Sequence, residues 1–323
     1  MMLLLAGLAI GIAFLVWSAD LFVGNSASLA RRLGLPPLLV GMFVIGFGTS
    51  LPEMMVSLIS ALEGNPSIAL GNAYGSNIAN IWLILGVTAL LSPITVADTV
   101  RRRDLPVLFF VTALAGVLLA NGVISRLDAL LMLVAFVAVC IWNMTHGAVM
   151  PEADDKGVKQ APLWKMLLGV VAGLVIVVAS SRLLVVSAVG LAKAVGVPDL
   201  VVGLTVVAIG TSLPELASSI AAISRQEHDM ALGNVIGSNL FNTLFVVGIA
   251  GVTRPIDGEG GALVIKDVLH RDYPTMALAT FLLAVACRKP RGRAARIDRW
   301  EGGLFLVLYI AYVALLAKEA LAR

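Results

Sequence analysis

The sequence is poor in charge. Asp, Glu, Lys and Arg make up 13% of its 323 residues, against roughly 25% in ordinary soluble domains. Hydrophobic residues make up 59%, and the mean hydropathy is +0.97. A soluble core of this length has no room for so much apolar surface, so the chain reads as a polytopic membrane protein. Cysteine is nearly absent. Cys140 and Cys287 lie in apolar runs; they form no CxxC pattern or disulfide framework and read as small packing residues. The three histidines, His146, His228 and His270, fall in loops without ligand spacing. The formal net charge is only +3, and no basic patch is interleaved with aromatics, which excludes a nucleic-acid partner. HExxH, GxGD and GxSxG are all missing, which argues against an intramembrane enzyme. No cofactor motif and no protein partner are indicated, and the chain reads as a monomer in the lipid bilayer.

What the sequence does have is long apolar runs. Ten of them reach, or nearly reach, the length needed to cross a ~30 Å hydrocarbon core. They cover approximately 2–30, 36–62, 67–91, 105–121, 127–143, 162–192, 198–223, 229–252, 274–287 and 300–320. The ninth is short. All are expected to be helical, because an open strand edge in lipid leaves backbone groups unsatisfied. The first lacks a basic n-region and a small-residue cleavage site, so it reads as a transmembrane helix and not a signal peptide. The expected fold class is an all-α polytopic membrane protein with ten transmembrane helices. A polar stretch, 149–161, is a cytoplasmic linker between a first repeat at 1–148 (spans 1–5) and a second at 162–323 (spans 6–10). Lys and Arg set the orientation. Arg31, Arg32, Arg101 to Arg103, Lys156, Lys159, Lys165, Arg225 and a cluster from Arg288 to Arg299 fall on one side. Far fewer fall on the other. The bias places both termini outside the cytoplasm, in a plasma (inner) membrane.

The two halves repeat each other. GTSLPE begins at Gly48 and again at Gly210, 162 positions on. The same offset maps GNAYGSNIAN, from Gly71 to Asn80, onto GNVIGSNLFN, from Gly233 to Asn242. It also maps Gly34 onto Gly196, Pro36 onto Pro198, Gly86 onto Gly248 and Pro93 onto Pro255. Each half has an odd number of spans, so the second copy enters the membrane from the opposite side. Two inverted five-helix repeats are an architecture of secondary transporters, whose sites lie where the repeats meet near the midplane. The identical residues are mostly polar, which packing alone does not demand.

Pro52 and Glu53 show what those residues can do. Proline has no N–H, so it should free the carbonyl of Gly48 and break the helix there. Pro214 should do the same to Gly210. Freed carbonyls are tolerated at membrane depth only where the backbone lines an enclosed cavity. Thr49 and Glu53 share a helix face at i, i+4, as do Ser76 and Asn80; Thr211 with Glu215 and Ser238 with Asn242 repeat both pairs. Together they offer two carboxylates, hydroxyls, amides and carbonyls. All are hard oxygen donors, suited to Ca²⁺ or alkali cations and not to zinc or copper. The two glutamates supply the −2 charge that a divalent cation neutralises. With no cation between them, two ionised carboxylates in a low dielectric repel, so the bare charged site is disfavoured. Asn72, Asn77, Asn234 and Asn239 either bind or orient the binding groups. Gly71, Gly75, Gly233 and Gly237 read as sites of close helix approach, and Met54 and Met55 as packing. Asp20 and Arg182 occupy equivalent positions within spans; the readings are interfacial pairing or gating.

GTSLPE followed by GSN-x-x-N, present twice, resembles the α-repeats of the cation/Ca²⁺ antiporter superfamily, in its prokaryotic sodium/calcium exchanger branch. The resemblance covers most of the chain. It implies electrogenic exchange of Na⁺ for Ca²⁺ by alternating access, with the long first and sixth helices sliding across a bundle of the other eight. It implies that Glu53 and Glu215, with the carbonyls of Thr49 and Thr211, hold Ca²⁺. Ser50, Ser76, Ser212 and Ser238, with the carbonyls of Gly46 and Ala208, would complete Na⁺ sites. Asn80 and Asn242 would line the centre. Some branches carry aspartate at the position of Asn242; asparagine leaves two central acids and leans against K⁺ co-transport. Ca²⁺ and Na⁺ are thus the expected transported partners. H⁺-coupled exchange ranks second. A cation channel would use the same broken helices and oxygens, and only coupling separates it.

Overall fold

The computed structural model describes residues 1–64, 66–146, 162–194, 208–257, 267–288 and 294–321. The linker expected at 149–161 and the first part of the seventh span, 198–207, lie outside them. The described chain is helical apart from short pairings at the loop ends. Helices α1 (Met2–Leu33), α2 (Pro37–Thr49), α3 (Leu51–Leu62), α4 (Ile68–Leu91), α5 (Leu105–Leu119) and α6 (Arg126–His146) form the first half. Helices α7 (Leu163–Ala194), α8 (Ala208–Thr211), α9 (Leu213–Ser224), α10 (His228–Thr253), α11 (Tyr273–Ala286) and α12 (Arg299–Leu321) form the second. Among the described residues six helices are long and apolar enough to cross a membrane, or seven if α2 and α3, bent by 47° at their junction, count as one. The short ninth run gains length because the helix starts earlier, with a π-helical turn at Val268–Asp272 ahead of α11. Val100–Asp104 does the same ahead of α5.

Burial sorts the helices into two classes. The apolar windows of α4 and α10 are 72% and 83% buried, whereas those of α1, α6, α7 and α12 are between 17% and 28% buried. The two helices carrying GN-x-x-GSN-x-x-N are therefore the centre of the bundle. The others turn apolar side chains such as Phe14, Trp17, Leu130, Val171 and Ile310 outward, as a lipid-facing surface requires. The long helices α1 and α7 pack along each other.

The helix ends follow local chemistry. α1 stops at Gly34, which takes a left-handed conformation (φ 63°) and donates its N–H back to Ala30 and Arg31 carbonyls, as glycine does at a helix C-terminus. Pro52, Pro106, Pro214 and Pro274 all sit in the opening positions of their helices, where a missing N–H costs nothing. Pro52 and Pro214 thus start new helices, and the breaks fall just before them at Ser50 (φ −82°, ψ 3°) and Ser212 (φ −90°, ψ 6°). The loops pair across the halves. Ile94–Thr95 (β1) is antiparallel to Arg296–Ile297 (β2), and Ile124 bridges Ile256.

Candidate functional site

The broken helices α2/α3 and α8/α9 meet at α4 and α10. The break places Glu53 and Glu215 in the first turn of α3 and of α9, where the helix dipole favours a carboxylate. Both are 1% exposed. Ser50, at the first break, donates its hydroxyl to Glu215 Oε1 at 3.1 Å, so a residue of one half holds the acid of the other.

The asparagines brace these acids. Asn72 Nδ2 donates to the Glu53 carbonyl at 3.1 Å and to Ser57 Oγ at 2.9 Å. Asn234 Nδ2 makes the same two bonds in the second half, to the Glu215 carbonyl at 3.1 Å and Ser219 Oγ at 2.9 Å. Its Oδ1 accepts from Thr49 Oγ1 at 3.3 Å. These amides orient the site through the backbone. Ser57 and Ser219 complete the brace and are 162 positions apart; the repeat offset alone would have found them. Asn80 Nδ2 donates to Asn239 Oδ1 at 3.0 Å, and Asn77 Nδ2 donates to Thr243 Oγ1 at 2.7 Å, tying α4 to α10.

Asn80 and Asn242 each occupy the second position of a π-helical turn, Ala79–Ile84 and Phe241–Val246. Such turns cluster at functional sites because they re-aim a side chain and loosen carbonyls. Another, Gly41–Gly46, ends just ahead of the first break. The freed carbonyl expected at Gly48 is not free: it accepts a backbone N–H of the capping turn. The oxygen turned toward the other half is that of Gly46, which accepts from Ser238 Oγ at 3.4 Å. Phe241, beside Asn242, packs against Phe136 and Phe47 with centroids 5.0 and 5.3 Å apart, an apolar wall at the edge of the polar centre.

Of the residues singled out from sequence, Thr49, Ser50, Glu53, Ser76, Asn80, Ser212, Glu215, Ser238 and Asn242 are buried together with Gly46 at this junction. Thr211 is half-buried. Ala208 opens α8, and the residues preceding it are outside the described set.

Several polar atoms at this junction lack protein partners among the described residues. Glu53 Oε2, Glu215 Oε2, Ser212 Oγ, Asn80 Oδ1 and both polar atoms of Asn242 are buried without a hydrogen bond among the described residues. An unpartnered buried polar atom costs roughly 1–3 kcal/mol, more when charged. The oxygens among them, several at one helix junction, match what a cation would satisfy. Among the described residues no cluster of three or more His, Cys, Asp or Glu exists. The donors are two carboxylates plus neutral oxygens, the composition of a hard-cation site.

Comparison with known proteins agrees. The family described as sodium/calcium exchanger protein matches residues 3–145 and 165–318, both halves of the chain. CaxA of Alkalimonas amylolytica is 40% identical over 314 residues, covering 95% of this chain and 96% of that one. The inner membrane protein YrbG of Escherichia coli (strain K12) is 38% identical over 333 residues, covering 98% and 97%. A solved structure of the sodium-calcium exchanger NCX_Mj, soaked with Na⁺ and Ca²⁺, superposes with a TM-score of 0.83 at 31% identity, covering 97% of this chain and 98% of that one. The doubled motif, the paired buried acids and these matches agree: the chain belongs to the sodium/calcium exchanger protein family.

Proposed function

We propose that the protein exchanges Na⁺ for Ca²⁺ across the membrane by alternating access, at a site shared by Glu53 and Glu215. The family consists of cation exchangers that bind transported Na⁺ and Ca²⁺, not of enzymes. The observation that carries the finer reading is the pair of buried carboxylates, one from each half, each with an oxygen unpartnered among the described residues. In this reading ten spans form two inverted repeats, both termini lie outside the cytoplasm, and the membrane is the plasma (inner) membrane.

Ca²⁺ takes six to eight oxygens. Glu53 and Glu215 supply charge, and the carbonyls of Thr49 and Thr211 supply the C-terminal, negative ends of broken helices. Ser50, Ser76, Ser212, Ser238, Gly46 and Ala208 furnish oxygens for Na⁺. Asn80 and Asn242 line the centre as neutral dipoles. Because the doubly ionised site is unfavourable without cations, the carrier crosses loaded, and coupling follows. In proteoliposomes, Ca²⁺ uptake should rise with an imposed outward Na⁺ gradient. Uptake indifferent to Na⁺ but driven by a proton gradient would replace Na⁺ by H⁺ in this scheme.

Asn242 sets the count of acids. Both polar atoms of its amide are unpartnered among the described residues. Asn242→Asp adds a third buried acid. It should change the Na⁺, K⁺ and pH dependence of uptake severalfold with near-normal expression; identical ion profiles for variant and parent would remove this residue from the site.

A further inference from the structure

Asp20 of α1 and Arg182 of α7 take no part in the central site. They hold equivalent positions, 162 apart, and so do Glu63 and Arg225. Glu63 ends α3, and Arg225 ends α9. The charges are exchanged between the repeats. The first long helix carries an acid, and the base stands at the end of α9. The second long helix carries a base, and the acid stands at the end of α3. Repeat symmetry that maps α1 with α9 onto α7 with α3 therefore maps one attractive pair onto another of reversed sign.

Only one of the two pairs is made. Arg225 Nε meets Asp20 Oδ1 at 2.7 Å, and Arg225 Nη2 meets Asp20 Oδ2 at 2.8 Å, a bidentate contact. The guanidinium lies over Gly24, where an added Cβ would come within 2.6 Å of Arg225 Cζ. The missing side chain makes the approach possible. Arg182 and Glu63, both exposed, form no ion pair with each other. Helix packing is asymmetric in the same sense. α1 lies along α9, while α7 makes no comparable contact with α3 among the described residues. A second pair, Arg31 with Glu227 at 2.8 Å, joins α1 to the turn between α9 and α10. Its equivalents are Lys193 and Asn65, so it has no mirrored form. Snorkelling side chains would not need opposite signs at both pairs of positions.

We propose that Asp20–Arg225 and Glu63–Arg182 are two latches of exchanged charge that close in turn as the long helices move across the bundle. This rests on the inverted-repeat exchanger reading above. The structure holds the first latch closed and the second open. The closed pair is partly exposed, with side chains 55% and 40% accessible. Exposed ion pairs are weak, so each latch biases the two states only a few-fold, as a contact that must open in every cycle should.

The test uses a parent carrying Cys140→Ser and Cys287→Ser, reconstituted in proteoliposomes. Two variants add Asp20→Cys with Arg225→Cys, or Glu63→Cys with Arg182→Cys. Both pairs should cross-link with a short thiol reagent, although only the first is close here. Each cross-link should stop Ca²⁺ uptake until reduced. Ion conditions that raise one yield should lower the other. In the full-length protein, Arg225→Gln should lower the share of the first state by ~3-fold and Glu63→Gln should raise it by a similar factor, read as opposite shifts in labelling from the two sides. Failure of the Glu63–Arg182 cross-link in vesicles that exchange Ca²⁺ would overturn the latch and leave the exchanger reading intact, as would two yields that rise and fall together. A parent that moves no Ca²⁺ under any gradient would overturn both.

Discussion

In the proposed exchanger, Glu53→Gln or Glu215→Gln should abolish Ca²⁺ exchange. Glutamine matches the volume of glutamate but removes one of the two charges proposed to face the cation, and it turns one acceptor into a donor. Two unit charges 4 Å apart interact by about 4 kcal/mol at an effective dielectric of 20, and a divalent ion doubles the stake. Losing half of the site's charge thus costs at least about a thousandfold in Ca²⁺ affinity. The fold should survive. Asn72 and Asn234 grip the backbone carbonyls of residues 53 and 215, not their carboxylates, so the braces between α3 and α4 and between α9 and α10 persist. The effects differ in detail, because Ser50 donates to Glu215 Oε1 while Ser212 Oγ is unpartnered among the described residues. Glu215→Gln should therefore also disturb Ser50. Radiolabelled Ca²⁺ uptake into proteoliposomes reads the loss, and size-exclusion elution confirms folding; exchange within a few-fold of the parent in either variant would contradict it.

Gly237→Val and Gly41→Val prevent assembly of the site by another route. The first half's α2 crosses α10 at backbone contact. A Cβ at Gly237 would stand 2.7 Å from the Cα and carbonyl oxygen of Met42, and one at Gly41 would stand 2.5 Å from the Met230 carbonyl. These neighbours are backbone, so they cannot rotate away. Overpacking typically costs ~1–3 kcal/mol where side chains can adjust; here the helices must separate, and the cost should reach or exceed the top of that range. The same contact positions Gly46 against Ser238, so transport fails even where protein accumulates. The control is Gly303→Ala, whose nearest neighbour is Leu90 Cδ2 at 4.0 Å. It should leave the thermal midpoint in detergent within a few degrees of the parent, while both valine variants aggregate or melt far lower. A valine variant with the parent's midpoint would show that α2 and α10 do not need this contact.

The repeat made much of this legible in advance. A motif found twice at one offset identifies polar residues kept for something other than packing, and Glu53, Glu215, Asn80 and Asn242 all came from it. Pro52 and Pro214 marked the breaks and open the helices that follow them, and the Gly48 carbonyl expected to be free accepts a backbone N–H instead. The π-helical turns were not legible. Nothing in the residues of Ala79–Ile84 distinguishes one extra residue per turn from an ordinary helix; packing of α4 on α10 decides it. The braces at Ser57 and Ser219 were within reach of the same offset. A further repeated pair, Arg103–Asp104 and Arg271–Asp272, each with its own ion pair, escaped because its offset is 168. The segment between Pro255 and Asp267 is longer than its counterpart by that difference, so a fixed-offset search loses register there. The partner of Asp20 was equally hidden, since Arg225 lies 205 residues away and only the packing of α1 on α9 brings them together.

The most direct measurement is Ca²⁺ binding to the purified protein by equilibrium dialysis, for the parent and for each glutamine variant. One acid from each half around one ion predicts a single Ca²⁺ per chain, displaced by millimolar Na⁺ and lost in Glu53→Gln and in Glu215→Gln alike. Binding that persists in either variant with the parent's affinity, or a parent that binds none, would contradict it.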